Sequence, residues 1–169
     1  MADEASAAPT TRILNPMALE ERAGSSYPTH LSEELEGRFR RVLGNRLGIR
    51  NFGVNLLRLA PGAWSSQRHW HSRQDELIYI LEGEVVLVTD GREDTLIAGM
   101  VAGFPAGEAN GHHLINRSDR NALALEIGDR TQGDEARYPD VDMAAQMGLP
   151  KYTFTTKDGT RFEGWGGQQ

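Results

Sequence analysis

Short runs of alternating apolar and polar residues, separated by turn residues, fill the chain from Phe52 onward. Runs such as "FGVNLLRLAPG", "DELIYILEGEVVLVTDGRED" and "ALALEIGDR" are rich in aliphatic residues and have the period of two that is typical of strands. Asp90-Gly91 directly follows "EVVLVT" and is a strong hairpin signal. Because no helical segment interrupts these runs, the pattern predicts an all-β domain, an antiparallel sandwich or barrel.

The chain before Phe52 does not show this strand pattern. Residues 1–30 are rich in Ala, Ser, Thr and Pro, which predicts a flexible or surface-lying N-terminal arm. From Ser32, "SEELEGRFRRVLG" has an N-cap candidate, an acidic first turn and Gly44 as a stop. This segment predicts a short helix that leads into the β-barrel, and helix and barrel together span residues 31–132.

The C-terminal segment, residues 133–169, is less regular than the barrel. "YPDVDMAAQMG" predicts one helical turn, and "KYTFTTKDGTRFEGW" predicts a small hairpin about Asp158-Gly159. The aromatic residues here are too many for a disordered tail. We therefore expect this extension to pack on the barrel or on a partner subunit; the aromatic residues are Tyr152, Phe154, Phe162 and Trp165.

Composition narrows the function classes. The 169 residues carry a net charge of −6 with scattered arginines and no basic stripe, so nucleic acid is not an expected partner. A single predicted helix is too little for a helix-turn-helix reader. The absence of cysteine excludes disulfides, thiolate ligands and a cysteine nucleophile. No secretory signal or run of about 18 apolar residues is visible, so we expect a cytoplasmic protein with no membrane partner.

Four of the five histidines lie in two pairs, His69 with His71 and His112 with His113. Alternation along a strand places His69 and His71 on one face, and Glu76 follows after a short connection that can return its carboxylate to the imidazoles. One imidazole from the second pair completes a set of three histidines and one glutamate. Such a set suits one divalent metal ion per chain, such as Zn, Fe, Mn or Ni, with open positions for water or substrate.

These residues resemble the two sequence motifs of the cupin superfamily. The gap from Gly107 to His112 is two residues longer than usual, and the gap before His69 is one residue longer. The spacing from His112 to Asn116 fits the second motif and favours His112 over His113 as the fourth ligand. The motif residues are Gly62, His69, His71, Glu76 and Gly83 in the first motif and Gly99, Pro105, Gly107, His112 and Asn116 in the second.

The resemblance covers residues 52–130 and implies a cupin double-stranded β-helix, a jelly-roll barrel. More narrowly, "FPAGEANGHHLINRSD" and "YPDVDM" resemble a group of small single-domain bacterial cupins that are often labelled sugar-phosphate isomerases, a label that says little about chemistry. Cupins of this size commonly dimerise, so the resemblance also implies a homodimer.

Three neutral imidazoles and one carboxylate leave a divalent ion with a net charge near +1, which suits an anionic or chelating oxygen ligand. Alternation places Ile78, Ile80 and Leu114 inward as an apolar wall and Tyr79 outward. We therefore expect a metal-dependent enzyme, an isomerase, lyase or oxygenase, acting on a small oxygen-rich substrate such as a sugar or carboxylic acid. The alternative is a non-catalytic small-molecule or metal-binding sensor. Surface or structural roles are expected for Arg58, Gln67 and Glu126.

Overall fold

The computed structural model describes residues 12–147 and 152–162, and strands dominate them. Among these residues the only helical elements are single 3₁₀ turns, at Pro16–Ala18, Thr29–Leu31, Glu33–Leu35 and Asn45–Leu47. The all-β prediction is therefore confirmed. The strands are β1 Arg22–Ala23, β2 Arg38–Val42, β3 Phe52–Leu59, β4 Trp70–His71, β5 Glu76–Glu82, β6 Glu84–Thr89, β7 Arg92–Ile97, β8 Val101–Phe104, β9 His113–Ile115, β10 Ala122–Asp129, β11 Glu135–Arg137, β12 Ala144–Met147 and β13 Tyr152–Thr155.

Antiparallel pairing groups these described strands into three sheets. The largest has the order β1-β2-β3-β10-β5-β8, a second has the order β7-β6-β9, and the third has the order β13-β12-β11-β4. The main core lies between the first two sheets, as expected for a jelly roll, because apolar side chains alternate inward on both. Its buried members include Leu57, Leu59, Ile80, Val85, Leu87 and Leu114.

Tight turns fix the register of the barrel strands. The β6–β7 hairpin closes at Asp90-Gly91, with Thr89 opposite Arg92, as predicted. Gly91 has a φ of 71°, which glycine adopts without strain. Gly83 has a φ of 75°, and a Cβ there would lie 2.8 Å from the carbonyl oxygen of Asn121. This position therefore requires glycine both for its backbone conformation and for lack of space.

The predicted short helix after Ser32 is wrong. One 3₁₀ turn forms at Glu33–Leu35, and the chain then enters β2, which pairs with β3 from Arg38 opposite Leu59 to Val42 opposite Asn55. The break falls at Gly37, whose φ of 82° is left-handed and incompatible with a continuing helix. The gain from completing a sheet over the core outweighs the modest helix propensity of "GRFRRV".

The described part of the C-terminal extension also differs from one expectation. "AAQM" forms β12 instead of a helical turn, because it pairs with both β11 and β13. The predicted hairpin is present, with its turn at Asp158-Gly159 and a bridge from Thr155 to Arg161. Trp165 lies outside the described residues.

The extension joins the barrel through β11, which pairs with β4 so that Ala136 lies opposite His71. A second apolar cluster, made of Tyr138, Met143, Phe154 and their neighbours, packs against Tyr27 and Leu31 of the N-terminal region. Strand β1 of that region adds to the edge of β2. No helix in the described residues is long and apolar enough to cross a membrane.

Candidate metal centre

Backbone pairing brings the two histidine pairs of the sequence together. His69 and His112 form an antiparallel bridge in which each amide nitrogen donates to the other residue's carbonyl oxygen, at 3.1 and 2.8 Å. His71 follows on β4, and Glu76 begins β5. Gly128 lies opposite Glu76 in the β10–β5 ladder, and a Cβ there would contact the Glu76 carboxylate, so glycine leaves that side of the carboxylate open.

The side chains of these residues converge on one oxygen atom. Glu76 Oε2 lies 3.0 Å from His112 Nε2, 3.6 Å from His71 Nε2 and 3.7 Å from His69 Nε2. Ligating atoms of His69, His71 and Glu76 all lie within 4.8 Å of one another. Every residue that the sequence nominated as a ligand is therefore at this point, and three imidazole nitrogens face a single carboxylate.

The outer nitrogens of two of the imidazoles are already occupied. His69 Nδ1 lies 2.9 Å from the carbonyl oxygen of Gln67, which can only accept, so this nitrogen carries the proton. His71 Nδ1 lies 2.5 Å from Asp134 Oδ2 and donates to that carboxylate. In its neutral form each ring therefore presents an unprotonated Nε2 to the centre, which is the tautomer that a metal ligand requires.

His112 is held in a different way. Its ring stacks on Phe104 with centroids 3.5 Å apart and planes 3° from parallel, while its Nδ1 is buried with no hydrogen-bond partner among the described residues. His113 points elsewhere, since its Nδ1 lies 3.1 Å from the carbonyl oxygen of Ser66 and its ring packs edge-on against Trp64. The geometry thus places His112, and not His113, beside Glu76.

The electrostatics of the cluster favour a neutral His69 beside an ionised Glu76 carboxylate. Burial lowers the pKa of His69 to about 3. Burial alone would raise the pKa of Glu76, but the hydrogen bond with His112 and the neighbouring imidazoles bring it well below its usual value. Burial would also raise the pKa of Asp134, yet the hydrogen bond from His71 lowers it to about 2. Both acids are therefore charged at neutral pH.

The centre borders two cavities. A cavity of about 440 Å³ is lined by all four candidate ligands together with Tyr27, Tyr138 and Tyr152. A smaller one of about 240 Å³ shares His71, Glu76 and His112 and is also lined by Phe104. Ile78 and Leu114 line the larger cavity, and Ile80 is fully buried in the main core, so all three face inward as the strand alternation predicts. Tyr79 points outward and is 39% exposed.

Sequence reasoning missed several residues around the centre. Asp134 and Tyr138 belong to the extension, and no local signal in "GDEARY" marks them as partners of a motif some 60 residues earlier. Of the three polar residues singled out beforehand, Arg58 pairs with Glu21 and Gln67 donates to the carbonyl oxygen of Leu31, so both are structural. Glu126 lines the large cavity.

An antiparallel jelly-roll barrel with a histidine-rich centre inside it defines the class of protein. A cupin domain model matches residues 55–128. A solved structure from Silicibacter pomeroyi, named as a sugar phosphate isomerase from a cupin superfamily, is 43% identical, with 90% of this chain and 97% of that chain covered and a TM-score of 0.84. The chain therefore belongs to the cupin superfamily.

Two further structures place the fold in context. One from Acidithiobacillus ferrooxidans, named as a candidate sugar phosphate isomerase, is 26% identical over 74% of this chain and 80% of that chain, with a TM-score of 0.67. The polyketide cyclase RemF from Streptomyces resistomycificus shares the fold at 16% identity, covering 78% and 87% of the two chains with a TM-score of 0.60. No curated protein matches the sequence.

Proposed function

We propose that the protein is a metal-dependent cupin enzyme that acts on a small oxygen-rich substrate, a sugar derivative or carboxylic acid, with isomerisation ahead of elimination and oxygenation. His69, His71, Glu76 and His112 would hold one divalent ion. The observation that carries this proposal is the convergence of three imidazole Nε2 atoms within 3.0–3.7 Å of one Glu76 oxygen. The name of the 43% identical relative supports isomerisation as the first reaction to test.

The donor set fits a metal. Two imidazoles have their Nδ1 protons held by fixed acceptors, so their Nε2 lone pairs point inward, and the carboxylate opposite them is ionised. Zn, Fe, Mn and Ni all accept three nitrogens and one oxygen. When bound, such an ion polarises a carbonyl or hydroxyl oxygen of the substrate and lowers the pKa of coordinated water.

The chain itself supplies a wall with two tyrosines. Burial raises the pKa of Tyr138 far above its usual range, and burial together with the charge of Asp134 raises that of Tyr152 as well. Both hydroxyls therefore stay protonated and can donate hydrogen bonds. The hydroxyl of Tyr152 donates to Asp134 and Gln74, so it helps to hold in place the carboxylate that orients His71. Ile78 and Leu114 add apolar surface to the lining of the same cavity, which disfavours water beside them.

Elemental analysis of protein purified without a chelator tests the metal. We expect about one divalent ion per chain, and loss of most of it in His71→Ala and Glu76→Ala, because each variant removes a ligand. His30→Ala is the matched control, since His30 is exposed and contacts Phe162 instead of the centre. A full complement of metal in His71→Ala would contradict the proposal.

Activity is then screened with the restored metal on aldose and ketose phosphates and on sugar acids, with and without dioxygen. Interconversion that does not need dioxygen and is absent from Glu76→Ala supports an isomerase. Turnover that requires dioxygen and iron would move the assignment to an oxygenase. Ligand-dependent stabilisation against heat with no product across the panel would favour a sensor over an enzyme.

A further inference from the structure

Two of the arginines that line the large cavity, Arg38 and Arg40, lie on one strand, β2, beside Glu126. We propose that Arg38 and Arg40 form an oxyanion anchor, so that the ligand carries a carboxylate or phosphate at the end opposite its metal-binding oxygens. This inference rests on the proposed function, because it assigns the far end of the same ligand.

The register places the arginines near the metal centre. In the β10–β5 ladder Gly128 lies opposite Glu76, and Glu126, two residues before Gly128, lies opposite Ile78. Glu126 and Glu76 are therefore diagonal neighbours on one sheet face, with a separation of roughly 7–8 Å. The side chains of Arg38 and Arg40 extend from β2 towards Glu126.

Arg38 is buried with unused hydrogen-bonding capacity. Its residue is 7% exposed, and its Nη1 donates to the carbonyl oxygen of Gly24 at 3.0 Å. Its Nη2 lies 3.9 Å from Glu126 Oε1, and its Nε has no hydrogen-bond partner among the described residues. A buried N–H of a cation without an acceptor is costly, so a ligand oxygen at this place would restore a missing interaction.

Arg40 and Glu126 are close but poorly matched. Arg40 Nε lies 3.0 Å from Glu126 Oε2, yet neither atom makes a hydrogen bond within the described part of the chain. Two guanidinium groups against one carboxylate leave the cluster with one positive charge in excess. Burial and the neighbouring Arg40 lower the pKa of Arg38 to about 10, so it remains charged at neutral pH.

A purely structural ion cluster would use its buried hydrogen-bond donors more completely. Elsewhere in this protein arginines do so: Arg58 makes two hydrogen bonds to Glu21, and Arg68 makes two to Asp140. The Glu21 cluster also has two arginines on one carboxylate, since Arg41 pairs with Glu21 as well. The inner-face cluster differs in having buried donors without partners among the described residues and in lining a cavity of about 440 Å³ that the candidate metal ligands also line. These features suit a small anion that spans both ends.

A matched series of five-carbon ligands tests the anchor: ribitol 5-phosphate, ribonate and uncharged ribitol. Their dissociation constants are measured by calorimetry on protein loaded with one equivalent of Zn²⁺ and on chelator-treated protein. We expect at least one charged ligand to bind about 10-fold more tightly than ribitol, since a charged hydrogen bond contributes that much. A preference for ribitol 5-phosphate identifies phosphate, and a preference for ribonate identifies carboxylate.

Variants then separate the anchor from a structural role. Arg40→Gln should abolish the preference for the charged ligand and leave ribitol binding and metal content unchanged, while Arg46→Gln, an exposed arginine away from the cavity, is the control. Glu126→Gln should strengthen anion binding, because it removes the internal carboxylate that competes for the arginines. A structural cluster would instead show lower stability and no change in anion binding.

Equal affinities across the ligand series, or a charge preference that survives Arg40→Gln, would overturn the anchor. Binding measured on the chelator-treated protein separates failure of the anchor from failure of the metal site, because the anchor does not need a metal ion to bind an anion. A charge preference that depends on Arg40 without metal supports the anchor even if His71→Ala leaves the metal content unchanged.

Discussion

His69 and His71 lie two residues apart and face the same carboxylate, but different parts of the chain orient them. His69 is held locally, by the carbonyl oxygen of Gln67 at 2.9 Å and the hydroxyl of Ser66 at 3.3 Å. His71 is held by Asp134, which lies 63 residues further along the chain in the extension. The barrel motif thus supplies both candidate ligands, but the extension fixes the direction of one of them.

Asp134 is well equipped for this task. It is fully buried, and its carboxylate also accepts from the backbone nitrogen of Arg73 at 2.8 Å and from the hydroxyl of Tyr152 at 3.0 Å. These donors fix both oxygens, so the position of His71 follows from the packing of β11 and β13. The orientation of a candidate ligand in the barrel therefore depends on a segment beyond the family motif.

The substitution with the largest expected effect on metal affinity is Asp134→Asn. The amide no longer accepts as a carboxylate does, so His71 loses its charge-assisted hydrogen bond and metal affinity should fall about 10- to 100-fold. Competition with a chromogenic chelator measures this affinity. Asp142→Asn, an exposed acid in the same extension, is the control. Unchanged metal affinity in a folded Asp134→Asn protein would mean that His71 needs no such support.

The second prediction uses the opposite pKa shifts of the two histidines in metal-free protein. Burial lowers the pKa of His69 from its ordinary value of 6.5 to about 3. Burial also acts to lower that of His71, but the hydrogen bond to Asp134 and the charge of Glu76 raise it overall. Between pH 6.5 and 3 the unfolded chain binds a proton at His69 that the folded chain does not. The His69 contribution to stability is therefore lost as pH falls through that window.

His71 has the reverse sign, since its contribution is present below pH 6.5 and is lost as pH rises through its raised folded pKa. His69→Gln should therefore make the free energy of unfolding depend less steeply on pH on the acid side, with the slope reduced by up to about 1.4 kcal/mol per pH unit. His71→Gln should instead remove a decline in the free energy of unfolding as the pH rises above 6.5. Urea unfolding in the presence of a chelator, across roughly pH 4 to 8, measures both. Shifts of the same sign in the two variants would refute the opposed environments.

The smallest effect is expected from Ser66→Ala. It removes the weaker of the two contacts to His69 Nδ1 and leaves the carbonyl of Gln67 in place, so metal affinity should change by no more than about 3-fold. The same chelator competition applies, with Ser72→Ala as a contrast because the Ser72 hydroxyl donates to Asp134 at 3.3 Å. A loss for Ser66→Ala as large as that for Asp134→Asn would show that His69 is no better anchored than His71.

The barrel and its candidate ligands could be predicted because they depend on local patterns. Alternation assigned Ile80 to the core and Tyr79 to the surface, and motif spacing selected His112 over His113. Strand β2 was mistaken for part of a helix because the segment "RFRRV" suits a helix or a strand, and only its pairing with β3 decides between them. Arg38 and Arg40 were therefore not recognised as inner-face residues.

Asp134 could not be found because its role depends on contacts between distant segments. Charge and spacing in "GDE" are those of an ordinary turn, and its burial follows from how β11 pairs with β4. The homodimer and the cytoplasmic location stay predictions.

The central claim is that four named side chains bind one divalent ion. A crystal structure of protein purified without a chelator, with data collected at the absorption edge of the metal found by elemental analysis, tests it most directly. We predict one anomalous peak about 2.0–2.2 Å from Nε2 of His69, His71 and His112 and from a Glu76 oxygen. A peak held by other residues, or none at these four in metal-replete protein, would contradict the account.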